Sequence, residues 1–386
     1  MNKIYLDNAA TTPLAEEVIQ EMVAVLRENF GNPSSTHSFG QEAKILIENV
    51  RRQIAEDLKV TPAEIIFTSC GTESNNMIIK SCVDHLGIQR IISSPMEHKC
   101  VAETILEMKN RRGVEVVYLR PDKKGDFDLN QLEELLKNSD KKTLVSLMHA
   151  NNEIGNILDI EKVSRICKDN GALFHSDTVQ TIGHFDIDFS KIPVDFASCS
   201  AHKFHGPKGS GFAFIRKSSG LKSLITGGPQ ERSMRAGTEN VCGIAGLGKA
   251  LELAVKNIDS YSRSIQEVKD YAISRISEAV PGVAFNGRSA EKESLYTVLS
   301  VLLPFKDPLI GMKMDMQGIA VSQGSACSSG ASKPSMVMMM LLDDEQMKNC
   351  TPLRISFSHL TTKEEIDTLA EVLTKISSEH LIEKTN

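Results

Sequence analysis

From about residue 64 the chain alternates short runs of β-branched and aromatic residues with stretches whose apolar positions recur at helical spacing. The runs EIIFT, RIISS, VEVVYL, TLVSLMH, ALFHSD, VDFASCS and GFAFIR predict short buried strands. Between them, VAETILEMKNRR, DLNQLEELLKN and EKVSRICKDNG predict amphipathic helices. Parallel strands need crossover connections, so this alternation predicts a three-layer α/β domain, a mostly parallel sheet with helices on both faces. Ligands of such a sheet bind beyond the carboxyl ends of its strands.

After GTENVCGIAGLGKALELAV the pattern changes to a helical segment reaching about residue 279, a strand-like TVLSVLL, a Gly/Ser loop, a strand-like LRISFS and a closing helix from Thr362. This predicts a smaller α+β domain. The expected division is a large domain over 15–255 and a small one built from 1–14 and 256–386. No internal repeat or low-complexity linker interrupts either part.

With 386 residues, 41% hydrophobic and 24% charged, the chain has the make-up of a soluble globular protein with room for two cores. Its net charge of -6, with no dense basic patch, argues against nucleic acid as a partner. The opening MNKIYLDNAATTP lacks a signal-like apolar core, and the longest apolar run, MVMMMLL, is far shorter than a membrane span. A cytoplasmic protein with no membrane partner is expected. Eight cysteines, at 70, 82, 100, 167, 199, 242, 327 and 350, form no CxxC pair, so neither a metal site nor a disulfide framework is predicted.

GIAGLGKA at 243–250 has the spacing of a phosphate loop, but Ala250 replaces the magnesium-binding hydroxyl and the stretch follows no strand, so helix packing through small residues is the better reading. More telling is SAHKFHGPKGSG at 200–211, where Lys203 follows a predicted strand in a glycine-rich loop. Asp177, in HSDTVQ, ends another. A lysine for a Schiff base and an aspartate for a protonated pyridine nitrogen are what pyridoxal phosphate requires, although taken singly the default reading of such residues is an ion pair and a helix cap. TSCGTESNN adds a strand end followed by Gly71, Thr72 and Ser74 at a helix start, which suits a phosphate, or else a simple capping box at Thr72. His98, in SPMEHKC, is a candidate to lie on a flat ring and trade protons. Cys327 sits among Ser, Ala and Gly in VSQGSACSSGASKPS, which predicts an exposed, mobile thiol or an incidental surface cysteine.

The motifs YLDNAATTP, FGNPSSTH, CGTESNN, MEHK, HANNEIG, HSDTVQTIG, SAHKFHGPKGSG, RAGTENV, GSACSSG and LRISFS, in this order from about residue 4 to 370, resemble the NifS/IscS-type cysteine desulfurases of the class V aminotransferase superfamily. The resemblance implies a fold-type I pyridoxal 5'-phosphate enzyme, a homodimer with sites at the subunit interface, which converts L-cysteine to L-alanine and an enzyme persulfide. The sulfur would pass to an acceptor or scaffold protein, as in iron–sulfur cluster assembly. By the same resemblance Lys203 carries the cofactor, Asp177 partners the pyridine nitrogen, and Gln180 and Asn152 reach the ring hydroxyl or substrate. His98 stacks on the ring and helps move protons, and Gly71, Thr72, Ser200 and His202 hold the phosphate with Thr238 of the second subunit. Arg354 binds the substrate carboxylate and Cys327 accepts the sulfur.

The chain departs from the family pattern at Cys70, Cys100, PFKDPLIGMKMDMQG and the Ser358–His359 pair, and has a short tail after Thr362, so the docking of a partner is the least defined expectation. A selenocysteine lyase or a class V aminotransferase is the alternative on the same cofactor.

Overall fold

The computed structural model describes residues 3–217, 219–323 and 335–385, with side chains to 380. Strands β2 (Ile65–Thr68), β3 (Arg90–Ser93), β4 (Glu115–Tyr118), β5 (Thr143–Ser146), β6 (Leu173–Asp177), β7 (Phe196–Ser200) and β8 (Gly211–Ile215) form one sheet in the order β2-β8-β7-β6-β5-β3-β4. All neighbours run parallel except β8, which is antiparallel to both β2 and β7. These are the seven apolar runs of the sequence, in register with the mostly parallel α/β domain expected from them.

The two-residue repeat of a strand explains the layering. Ile65, Phe67, Ile92, Val145, Phe174, Ala197, Phe212 and Phe214 face one core, which helices bearing Val18, Ile47, Ile54, Val163, Leu247 and Leu251 cover. Their neighbours Ile66, Ile91, Leu144, Phe196, Ala213 and Ile215 face the other, under helices bearing Met77, Ile78, Cys82, Val101, Ile105 and Met108. With both faces covered, the strands need apolar residues at every position, which is why they read as continuous runs.

GIAGLGKA lies inside the helix Val241–Lys256. A Cβ at Gly246 would fall 2.8 Å from Met22 Cγ, and one at Gly248 2.6 Å from Val50 Cγ1. The glycines therefore admit the helices Glu16–Glu28 and Ser38–Asp57 at close range, and the loop-like spacing has no phosphate role. The helical segment expected after this stretch, reaching about residue 279, is the helix Ile258–Ala279, set off from Val241–Lys256 at Asn257.

A further core gathers Leu299, Val301 and Leu303 of β10 (Val298–Leu303) with Leu353 and Ile355 of β12 (Thr351–Ser356). It adds Ile265, Ala272 and Ile276, and Ile366, Leu369 and Leu373 of the closing helix Lys363–Thr385. β12, β10 and β9 (Ala284–Phe285) form an antiparallel sheet, while β1 (Ile4–Tyr5) pairs in parallel with β11 (Ile319–Ala320). The amino terminus thus packs with the carboxyl-terminal part of the chain.

This core also holds Lys269, fully buried, with Nζ donating to Ser294 Oγ at 2.8 Å and Leu295 O at 3.0 Å. No ion pair reaches it among the described residues, and burial pushes its ammonium down from 10.5 to about 7. Between those two values the unfolded chain keeps a proton that the folded chain has lost, so folding stability gains with rising pH, by up to about 1.4 kcal/mol per pH unit. Lys269→Met removes that slope. Urea unfolding at about pH 7 and pH 9 should show wild type gaining on the variant by on the order of 2 kcal/mol; a constant difference would mean that Lys269 titrates as an ordinary lysine.

Candidate active site

Lys203 lies in a single helical turn, Ala201–Lys203, directly after β7, and its Nζ donates to Ala9 O at 2.6 Å and Ala10 O at 2.9 Å. Gln180 Nε2 donates to the same Ala9 oxygen at 3.1 Å, which brings Gln180 beside the lysine. The segment supplying these carbonyls, residues 7–15, lies along the Lys203 loop. Thr12 N bonds His202 O at 2.9 Å, His205 N bonds Thr12 Oγ1 at 2.7 Å, and Ala15 N bonds His205 O at 3.1 Å. His202 Nδ1 meets Thr11 Oγ1 at 3.2 Å. Burial, then the charges of Lys203 and Lys208, hold the His202 imidazole down at about 4, so it is neutral at ordinary pH.

The other end of the same segment reaches Arg354. Its Nη2 donates to Asp7 Oδ1 at 2.7 Å and its Nη1 to Asn152 O at 3.0 Å, while the buried Nε has no partner among the described residues. Ser322 exchanges both backbone hydrogen bonds with Arg354, at 3.1 and 2.7 Å. The chain therefore passes Arg354 immediately before residue 324. Cys327 lies outside the described residues.

Asp177 closes β6, buried, with Oδ2 accepting from Asn75 Nδ2 at 2.8 Å and Oδ1 from Val179 N at 3.0 Å. Gly71 opens the helix Gly71–Leu86 after β2, and a Cβ there would meet Val179 Cγ2 at 2.5 Å. Only glycine fits. The same hypothetical atom would stand 3.9 Å from Ser200 Cβ, so the helix start and the end of β7 are neighbours. Ser200 Oγ is buried without a partner among the described residues. Four N–H groups at a helix start have no partner within the helix, and together with Ser200 Oγ they make a donor cradle.

Thr72 does not cap this helix. Cys70 holds the cap position without a side-chain bond, and Glu73 instead accepts from Ser69 N at 2.8 Å while pairing with Arg235 at 2.8 Å. Thr72 is thereby left exposed in the first turn. The capping-box reading of TSCGTESNN is thus replaced by a glutamate that ties the turn to the loop carrying Thr238. Thr238 itself is exposed and makes no hydrogen bond to the cluster among the described residues.

Three consecutive non-glycine residues nearby, Glu231, Arg232 and Ser233, adopt positive φ of 46°, 56° and 64°. Such a turn costs about 1–2 kcal/mol per residue. It is held by the buried Glu231 carboxylate, forked onto Arg51 at 2.7 Å and accepting from Phe67 N at 2.7 Å.

His98 follows β3 and caps the helix Lys99–Arg112, its Nδ1 accepting from Cys100 N at 3.2 Å. Crowding by the surrounding chain disfavours the imidazolium, which the Asp177 charge favours and the Lys203 charge opposes, and the first effect prevails. Sequence reasoning missed Asn75, Asp7 and the Ala9 and Ala10 carbonyls. Asn75 stands in CGTESNN one turn inside the helix, where an inward-facing asparagine was the available signal; backbone carbonyls leave none.

Lys203 and Gln180 also line a cavity of about 350 Å³ shared with His184, His205, Tyr261 and Tyr296. The arrangement offers an amine, a buried carboxylate and an anion cradle at the carboxyl ends of β7, β6 and β2, with a guanidinium from β12 linked to them through residues 7–15, the chemistry of a site for an anionic cofactor and an amino acid.

The chain belongs to the aminotransferase class-V family, whose model matches residues 4–369. Within it, the chain is 40% identical over 376 residues to the cysteine desulfurase IscS of Dictyoglomus turgidum, covering 97% of this chain and 94% of that one. Among solved structures, a NifS-like protein superposes with a TM-score of 0.88 at 37% identity, covering 97% of this chain and 99% of that chain. SspA in complex with cysteine superposes with 0.79 at 31%, covering 93% and 100%.

Proposed function

We propose that the chain is a cysteine desulfurase that takes L-cysteine to L-alanine and leaves the sulfur on Cys327 as a persulfide, with pyridoxal 5'-phosphate bound through Lys203. The observation that carries this reading is the meeting of Lys203, Asp177 and the Gly71–Ser200 cradle at three strand ends, in a chain 40% identical along its length to a cysteine desulfurase.

The residues fit the cofactor. Gly71, Thr72, Ser200 and His202 would hold the phosphate, with Thr238 of a second subunit. Asp177 would face the ring nitrogen, Gln180 and Asn152 the ring hydroxyl or substrate, and His98 the ring face. When bound, pyridoxal phosphate supplies an electron sink for the bonds at the substrate's Cα.

The chain's own groups do the rest. Arg354, held by Asp7, grips the substrate carboxylate through its remaining N–H groups. The Lys203 amine takes the proton from Cα and returns one to carbon. Cys327 attacks the substrate sulfur: the new S–S bond forms as the Cβ–S bond breaks, the electron pair goes to carbon, and cysteine plus thiol becomes alanine plus persulfide. From Ser322, hydrogen-bonded to Arg354, five residues span at most about 17 Å, enough for the thiol to reach the substrate.

The same reading includes the division at 255/256, a cytoplasmic setting, a protein sulfur acceptor and a homodimer. No helix among the described residues is long and apolar enough to cross a membrane. Leu26, Phe30 and Phe39 are 64, 71 and 50% exposed, and the two phenylalanine rings lie 5.2 Å apart, an apolar face suited to a second copy. Incubation of the yellow protein with L-cysteine should give alanine and protein-bound sulfane sulfur in a one-to-one first turnover. Pyruvate or an amino-group exchange in place of alanine would reject desulfuration.

A further inference from the structure

The hydrogen bonds around His98 have determined directions. Cys100 N is a backbone amide and can only donate, so His98 Nδ1, 3.2 Å away, presents its lone pair and a neutral ring carries its proton on Nε2. Cys100 Sγ stands 3.0 Å from that same Nδ1. Since Nδ1 has no proton to give, the thiol is the donor.

The sulfur in turn accepts from Asn75 Nδ2 at 3.3 Å, and that amide nitrogen spends its second hydrogen on Asp177 Oδ2 at 2.8 Å. With its NH₂ facing a carboxylate, Asn75 turns Oδ1 to His175 Nε2 at 3.0 Å, and His175 Nδ1 meets Ser146 Oγ at 2.9 Å. Asn75 and His175 are fully buried, and burial holds the His175 imidazole down at about 4, so this end of the chain of bonds stays neutral as well.

We infer that Asn75 and Cys100 are positioning residues that lock His98 as its neutral Nε2–H tautomer, with Nδ1 taken up by the Cys100 amide and thiol and the ring's one proton presented in its plane at Nε2. This rests on the reading of His98 as the residue over the cofactor ring, and it assigns the proton transfers at carbon to Lys203. Adding a proton at Nδ1 would set it against the Cys100 amide and force the Cys100 thiol to turn its own proton away. The surrounding chain disfavours the imidazolium most, and the charged groups facing His98 from other elements, Asp177 on β6 and Lys203 after β7, act in opposite senses, so the contacts at Nδ1 add to a ring already held neutral. Burial and the Asp177 charge push the Cys100 thiol up to about 12, which keeps its proton on sulfur and available to His98.

Long-range nitrogen–proton NMR of the imidazoles in the full-length protein, with His98→Gln identifying the signals, reads the tautomer directly. The expected pattern is Nε2–H at neutral pH. Cys100→Ala should raise the His98 pKa by about half a unit or more, because a donor to the neutral ring is lost. Cys100→Ser, which restores a donor, should return it. An Nδ1–H tautomer, an imidazolium at pH 7, or an unshifted His98 in Cys100→Ala would overturn the proposal. If Cys100→Ala does not fold, the wild-type tautomer and the serine variant decide it. Failure of the desulfurase reading would appear separately, as cysteine yielding no alanine with the tautomer unchanged.

Discussion

Lys203→Ala is expected to fold, to carry no covalently attached pyridoxal phosphate and to form almost no alanine from cysteine. Two losses combine. The amine that fixes the cofactor is gone, and so is the group that moves the proton at Cα, which by itself is worth about 10²–10⁴-fold in rate. The Nζ also donates to Ala9 O and Ala10 O, so the variant gives up contacts to the segment over its own loop, and a modest fall in stability accompanies the loss, about 1–3 kcal/mol. Mass spectrometry after borohydride reduction should place a pyridoxyl adduct on Lys203 in wild type and on no residue in the variant. Alanine formation at the wild-type rate by Lys203→Ala would reject the assignment.

Cys327→Ser should bind cysteine with an unchanged spectral shift yet yield traces of alanine and no persulfide, while Cys70→Ser and Cys100→Ser keep most of their activity. The other thiols are poorly suited to attack. Cys100, with its thiol pushed up to about 12, is ionised in about one molecule in 10⁵ at neutral pH. Its sulfur is also committed to His98 and Asn75, on a helix that cannot travel. Cys82, Cys167 and Cys199 are buried in the core, and burial raises all three. Cys70 sits at the N-cap of the helix Gly71–Leu86, beside the cradle proposed to hold the phosphate. Peptide mapping of the sulfane sulfur after one turnover decides the matter: a persulfide on Cys70 or Cys100, or full alanine output from Cys327→Ser, would remove Cys327 from the mechanism.

The sequence by itself determined the strands and their company. Runs such as EIIFT, RIISS and VDFASCS could be read because a strand covered on both faces must be apolar at every position, and that is a local property of the chain. It also determined that Asp177 and Lys203 close successive strands; that these two pair in parallel, across a connection over 178–195 with no helix, was set by the fold. What the sequence left open was every pairing set by distance in space. At TSCGTESNN the sequence admitted a capping box at Thr72, which the structure lacks, while Glu73 pairs with Arg235, 162 residues on. Residues 7–15, a stretch without hydrophobic periodicity, hold the loop of Lys203 mainly through backbone carbonyls and N–H groups, which have no sequence identity to read. The Asn75–Cys100 link between Asp177 and His98 joins three elements whose separation in the chain exceeds any local period. Propensity and periodicity act within one or two turns and so fix the elements; hydrogen-bond partners across elements are chosen by the fold's closure, and only the tertiary structure decides them.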